Sequence, residues 1–416
     1  MAKFLPFKGI LPNKQMTSLV VSRPFDNYSK LQIQQILADN PSSFLNVIVP
    51  SIPNEDDKIP YEEKLRLGKE TFNDLVENKI FVPADKPCYY IYRQSQGEEQ
   101  YTGIIGAISI DDCINNVVKP HEQTLEHKEE KLKEYLKIID INAEPVVISY
   151  KTDHEINDIV DATLETEPYA NFEFEGFGYH ELWVVSDEAV TEKIRERFET
   201  LDELYIADGH HRTASSVLYG EEMRRESPDS KGNEAYNYFM AMMFPHHQIK
   251  LREFNRLVKD LNGNSTESLL AALEKNFEVL HTGTFPDTSD WLYSFAMYVD
   301  NYWYHLIPKH GVVHELPEDH HLPTQVLTDL ILSPVFEIHD LRKDKRIAFI
   351  GGKTDVEQLE NKVNSGEYAA AFAVNKISIP LFKKFADNGW FMPPKSTYFE
   401  PKLLSGLVVY SLKTDL

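Results

Sequence analysis

Apolar and polar positions follow two rhythms along the chain. In YSKLQIQQIL (28–37) and PYEEKLRLGKETFNDLVENKIF (60–81) apolar residues recur every three to four positions, which predicts amphipathic helices. SFLNVIVP (43–50) is an apolar run ended by proline and is expected to be a strand. PCYYIYRQ (87–94) and GIIGAISI (103–110) are expected to pair as strands across the QGEEQ turn. Further on, EHKEEKLKEYLKIID (126–140) sets Leu132, Leu136 and Ile139 on one helical face, and PVVISY (145–150) reads as a strand. NFEFEGFGYHELWVVSD predicts a hairpin around Gly176 and Gly178, because aromatic and β-branched residues flank the two glycines. The helix EAVTEKIRERFETL then leads to the strand ELYIAD, the polar ESPDSKGNEAYN (226–237) reads as a surface loop, and YFMAMMFP as a buried strand. LREFNRLVKDL, SLLAALEKNF, the helix-like PTQVLTDLIL, RIAFIGG, YAAAFAVN, the helix ISIPLFKKFADNG and the strand GLVVYSL complete a pattern without internal repeats. The expected class is mixed α/β (α+β), in three regions: 1–114, 115–245 and 246–416.

Composition narrows the possibilities. The 416 residues are 42% hydrophobic, enough for real cores, but carry 43 Lys and Arg against 66 Asp and Glu, a net charge of −23. That balance disfavours nucleic acid as the main partner, since duplex binding normally needs a basic footprint. Cys88 and Cys113 cannot build a disulfide framework, which fits a reduced cytoplasm. MAKFLPFKGILPNK has no apolar stretch of signal-peptide length, and no window approaches eighteen apolar residues, so a cytoplasmic protein without membrane partners is expected.

Three segments carry candidate chemistry. In LYIADGHHRTASSVLYG (204–220) a strand ends at Asp208, Gly209 permits a tight turn, and a helix starts near His210. Such a turn aims backbone N–H groups and the positive end of the helix dipole at one point, which suits a phosphate. Arg212 adds a planar fork for phosphate oxygens, and His210 and His211 add donors that titrate near neutral pH. The same residues read equally well as an Asp208 helix cap with solvated neighbours. In KPHEQT (119–124), Glu122 stands beside His121 and Lys119 just past a proline, a place for a general base if its pKa were tuned towards neutrality; alone it also reads as an exposed acid. In PPKSTYFEPK (393–402), Lys395, Ser396 and Thr397 offer a cation and two hydroxyls to phosphate oxygens, although the segment also reads as an ordinary loop and is no Walker motif. The histidines of EDHH (318–321), with His314, His246 and His247, match no standard zinc spacing, and no metal ligand is assigned.

In their order, KPHEQ, a helix and a PVV strand, DGHHR and PPKST resemble the free serine kinases of the ParB/sulfiredoxin-like superfamily, which carry KPHE, DGHHR and SPKTT-like segments. From FLPFKGILPN through LYIADGHHRTA and NRLVKDLNG to MPPKSTYFEPKLLSGL the chain also resembles a bacterial family known only as a numbered domain of unknown function. The first resemblance implies a ParB/sulfiredoxin-like core over 115–245 with an inserted hairpin, and additional α/β regions on either side. It implies a nucleotide-dependent phosphotransferase acting on free serine or phosphoserine, in either direction, with ADP or ATP and Mg2+ as cofactors. It assigns Glu122, with His121 and Asp208, to catalysis, and Gly209, His210, His211, Arg212, Lys395, Ser396 and Thr397 to the nucleotide phosphates. A sulfiredoxin-type reaction would need a cysteine where His210 or His211 stands. The alternative is a ParB-like nucleotide-sensing or DNA-associated regulator without turnover, against which the charge of −23 counts.

Overall fold

The computed structural model describes residues 2–49, 59–229 and 231–413, so Pro50 of the first apolar run and Ser230 of the polar loop lie outside it. The chain divides into two compact units, one of residues 1–119, 124–249 and 401–416, the other of 120–123 and 250–400. Both are mixed α/β.

The first unit is organised on a nine-stranded mixed sheet. Its order runs Val118–Lys119, Leu204–Asp208, Val146–Tyr150, Tyr238–Pro245, Glu99–Ser109, Tyr89–Gln96, Gly178–Val185 and Ala170–Phe174, with Phe4–Leu5 added to Glu99–Ser109. Val146–Tyr150 is antiparallel to Leu204–Asp208 and parallel to Tyr238–Pro245. Every residue of Val146–Tyr150 and of Tyr238–Pro245 is buried, which explains why these strands read as continuous apolar runs without alternation: both faces are covered. The aromatic hairpin forms as its glycines suggest, with Gly178–Val185 pairing Ala170–Phe174 on one side and Tyr89–Gln96 on the other. The helix Glu126–Ile139 buries Leu136 and Ile139, and Tyr61–Glu77 buries Leu65, Phe72 and Leu75.

Two expectations differ from the structure. The described residues of SFLNVIVP, 43–49, form no strand: Leu45–Ile48 is a single helical turn. Its backbone bonds close locally, Val47 N–H to the Phe44 carbonyl and Val49 N–H to that of Leu45, while Phe44, Leu45 and Val47 are all buried and Phe44 meets the rings of Phe72 and Phe81. An extended segment would send Phe44 and Leu45 to opposite sides; the turn lets tertiary packing bury both and overrides β propensity. The three regions drawn along the sequence also do not coincide with the two units. Phe4–Leu5, Tyr89–Gln96 and Glu99–Ser109 share one sheet with strands from 118 to 245, so hydrogen-bonded ladders join what sequence order separates.

The second unit holds a seven-stranded antiparallel sheet, in the order Phe277–His281, Tyr302–Pro308, Phe295–Val299, Ala370–Val374, Lys250–Val258 and Ile347–Gly352, with Tyr398–Glu400 also paired to Lys250–Val258. One face carries Met297, Phe295, Phe372 and Val258 in a core with Val326, Leu327, Ile331 and Phe336. The latter four come from Pro323–Leu327, a π-helical stretch at Thr328–Leu332, and Ser333–Phe336. Among the described residues no helix is long and apolar enough to cross a membrane.

Candidate functional site

The sequence-predicted residues fall into two groups, one in each unit. In the first unit the strand Leu204–Asp208 runs into the helix His210–Glu226 through Gly209, whose φ of 100° is the left-handed conformation that glycine adopts without strain. A Cβ there would lie 3.1 Å from Nε and Nη2 of Arg212, so the missing side chain also makes room for the arginine to fold back. Arg212 donates from Nη2 to Asp208 Oδ2 at 2.8 Å, and from Nη1 to Glu144 Oε2 at 3.2 Å and the Pro145 carbonyl at 3.0 Å. Lys402 donates to the other oxygen of Asp208 at 2.7 Å, and Ser405 donates to Glu144.

This geometry decides one alternative left open by the sequence. The N-cap position is Gly209, and both Asp208 oxygens are drawn into ion pairs with Arg212 and Lys402. Burial pushes the Asp208 carboxyl up, but Lys402 and Arg212, with His210, outweigh it and hold the group well below the usual carboxylate range. Asp208 is therefore an ionised clasp for two cations, and its oxygens are spent there instead of on a cap. Arg212 is likewise no free fork, since two carboxylates and a carbonyl orient it.

His210 departs from the expectation of titration near neutrality. His210 is buried, and burial, opposed by Asp208 and assisted by His211 and Arg212, pushes its pKa down to about 4, so it is neutral at pH 7. His211 accepts the Leu125 backbone N–H at Nε2, 3.1 Å away, which leaves Nδ1 as the ring's donor.

In the second unit His121 is buried with its ring edge-on to Phe382 and Phe399, and its Nε2 lies 3.1 Å from Thr397 Oγ1. The His121 carbonyl accepts Met392 N–H at 2.8 Å, and Glu122 bridges in parallel to Met392, so KPHE and PPKST are tied by backbone as well as side chain. Ser396 is buried with its hydroxyl 2.8 Å from that of Thr324, and Lys395, at φ 59°, carries its ammonium 5.4 Å from the centre of the Phe254 ring.

Sequence reasoning missed Glu144, Lys402, Ser405 and Thr324. Lys402 closes the PPKSTYFEPK segment and Glu144 stands just before PVVISY; nothing local distinguishes them from surface charges. Gly209→Ala is expected to cost about 1–2 kcal/mol, from the left-handed backbone and the crowding of Arg212. Chemical denaturation measures it, and an unchanged midpoint would contradict the assigned role of the glycine.

The family described as "Protein of unknown function (DUF1015)" matches residues 4–330. No curated protein matches the chain. Among solved structures, a mutant free serine kinase in complex with AMP is similar at 13% identity and a TM-score of 0.37, over 72% of this chain and 88% of that one. A conserved hypothetical protein from Pyrococcus furiosus is similar at 13% identity and a TM-score of 0.33, over 74% and 93%. SbnI with C-terminal truncation from Staphylococcus aureus is similar at 10% identity and a TM-score of 0.35, over 71% and 82%.

Proposed function

The chain belongs to the family described as protein of unknown function (DUF1015), and from that premise we propose that it is a nucleotide-dependent small-molecule phosphotransferase whose leading substrate pair is free serine and phosphoserine. The observation that carries the reading is the pairing of the three motifs. Within the second unit His121 of KPHE meets Thr397 of PPKST across 276 positions, and within the first Asp208 of DGHHR meets Lys402, at the end of the PPKSTYFEPK segment, across 194. Separations of that size are costly to close, and the resemblance to serine kinases rests on these same segments.

In the proposed reaction the serine hydroxyl oxygen forms a bond to the terminal phosphorus of the nucleotide while the bond from that phosphorus to the leaving oxygen breaks. The hydroxyl proton goes to Glu122, and ADP becomes AMP or ATP becomes ADP. Arg212 and the first turn of the helix His210–Glu226 suit the nucleotide phosphates, and Asp208 and Glu144 fix the guanidinium before the nucleotide arrives. Magnesium needs a hard oxygen donor such as Asp208, but each Asp208 oxygen faces a cation, so this arrangement does not fit a metal at that carboxylate.

Phosphorus NMR of the purified protein with magnesium tests the reading, with serine and ADP or ATP in one direction and phosphoserine with AMP or ADP in the other. Phosphoserine appearing or disappearing with matched nucleotide conversion is the expected result. Absence of turnover in both directions would remove serine as the substrate.

A further inference from the structure

The second unit buries a charge for which the proposed chemistry has no use. Arg256, on the strand Lys250–Val258, is fully buried, among the largest side chains of the protein without solvent contact. It stands opposite Phe349 on the edge strand Ile347–Gly352 and opposite Phe372 on Ala370–Val374. Nη1 donates to the Phe254 carbonyl at 2.6 Å, and the Phe349 ring lies 4.8 Å from Cζ. Among the described residues, Nε and Nη2 are buried without a hydrogen-bond partner.

A guanidinium inside a protein is stable only when paired, because desolvation of the charge and of unsatisfied donors is not recovered otherwise. Burial pushes the Arg256 pKa down to about 9, which still leaves a cation at pH 7. The strand's own carboxylate does not supply the counter-charge. Glu253 also has a buried oxygen without a partner among the described residues, but the unbroken register from 253 to 258 puts it on the opposite face.

The unused donors define what would fit. Nε–H and the Nη2–H beside it lie along one edge of the planar group and point in parallel, the edge that takes both oxygens of one carboxylate. A single guanidinium beneath the Phe349 ring balances one negative charge, which favours a monoanion over a phosphate dianion. We propose that Arg256 anchors a small monocarboxylate, held side-on through Nε–H and Nη2–H beneath Phe349. Phe349 is only partly buried on its edge strand, and it is the side chain that swings aside to admit the ligand. This site is independent of the phosphotransfer reading, because it needs binding alone.

The test is NMR on the full-length protein labelled with 15N-arginine. The Arg256 Nε–H signal is assigned by its loss in Arg256→Lys, or by through-bond correlation in the unaltered protein if that variant does not fold. Titration uses acetate, the smallest probe, L-serine and inorganic phosphate, with ethanolamine as the analogue lacking a carboxylate, all at matched ionic strength. The expected result is a saturable downfield shift with acetate or L-serine and none with ethanolamine, and faster exchange in Phe349→Ala. A shift with inorganic phosphate alone would overturn the carboxylate assignment. No shift with any probe would mean that the fork is satisfied internally, and the site would fall.

Discussion

Glu122→Gln is expected to slow phosphoryl transfer by roughly 10²–10⁴-fold, the usual contribution of a positioned general base, while leaving nucleotide affinity nearly unchanged. The amide keeps the shape of the carboxylate and cannot take the hydroxyl proton. The backbone bridge to Met392 and the bond between the His121 carbonyl and Met392 N–H do not depend on the Glu122 side chain, so the segment should stay in place. Single-turnover rates by phosphorus NMR, paired with nucleotide titration calorimetry, separate the two effects. A rate within a fewfold of the unaltered protein would exclude the proton-acceptor role even if the reaction itself were observed. Loss of nucleotide binding would instead make Glu122 a binding residue.

Acidification is expected to weaken the protein in two separable windows. An unfolded histidine titrates near pH 6.5, whereas burial holds His210 at about 4. Between those values the unfolded chain takes up a proton that the folded chain refuses, so stability falls as pH falls from about 6.5 to about 4 and then levels off. The loss is about 3 kcal/mol for this one group. His180 adds a contribution of the same sign: it is fully buried, stacked against Tyr92, Phe172 and Phe177, and held at about 4. Asp208 acts later. Its folded pKa is depressed, so the stabilisation it contributes is complete above about pH 4 and is lost only as pH drops further towards its folded value. Urea unfolding at pH 7, 5.5 and 4.5 should show a shallower pH slope in His210→Gln than in the unaltered protein, and the shallowest in the His210→Gln, His180→Gln double variant. Identical slopes in all three would mean that these histidines do not couple to folding.

How far the site could be read in advance depended on how local each residue's job is. The Asp208–Gly209–His210 turn is encoded within a few positions, since an apolar strand, a glycine and a helical run follow one another, and it formed where expected. The jobs of Asp208 and Arg212 were not legible, because the partners that define them, Lys402 and Glu144, lie 194 and 68 positions away. The neutrality of His210 was equally hidden. Its pKa follows from burial, which no window of sequence contains.

The same division holds for the fold. Periodicity alone determined the helices Tyr61–Glu77, Glu126–Ile139 and Glu188–Glu199 and the hairpin from Ala170 to Val185, because helix and hairpin bonds close over short distances and print their period on neighbouring residues. The tertiary structure alone decided that Leu45–Ile48 coils into a turn, with Phe44 against Phe72 and Phe81, and that Phe4–Leu5 shares one sheet with strands as distant as Tyr238–Pro245. It also decided that Arg256 is shut away with two donors unspent. Each of these depends on which distant surface a side chain meets and how much water remains there, and that environment exists only once the chain has folded.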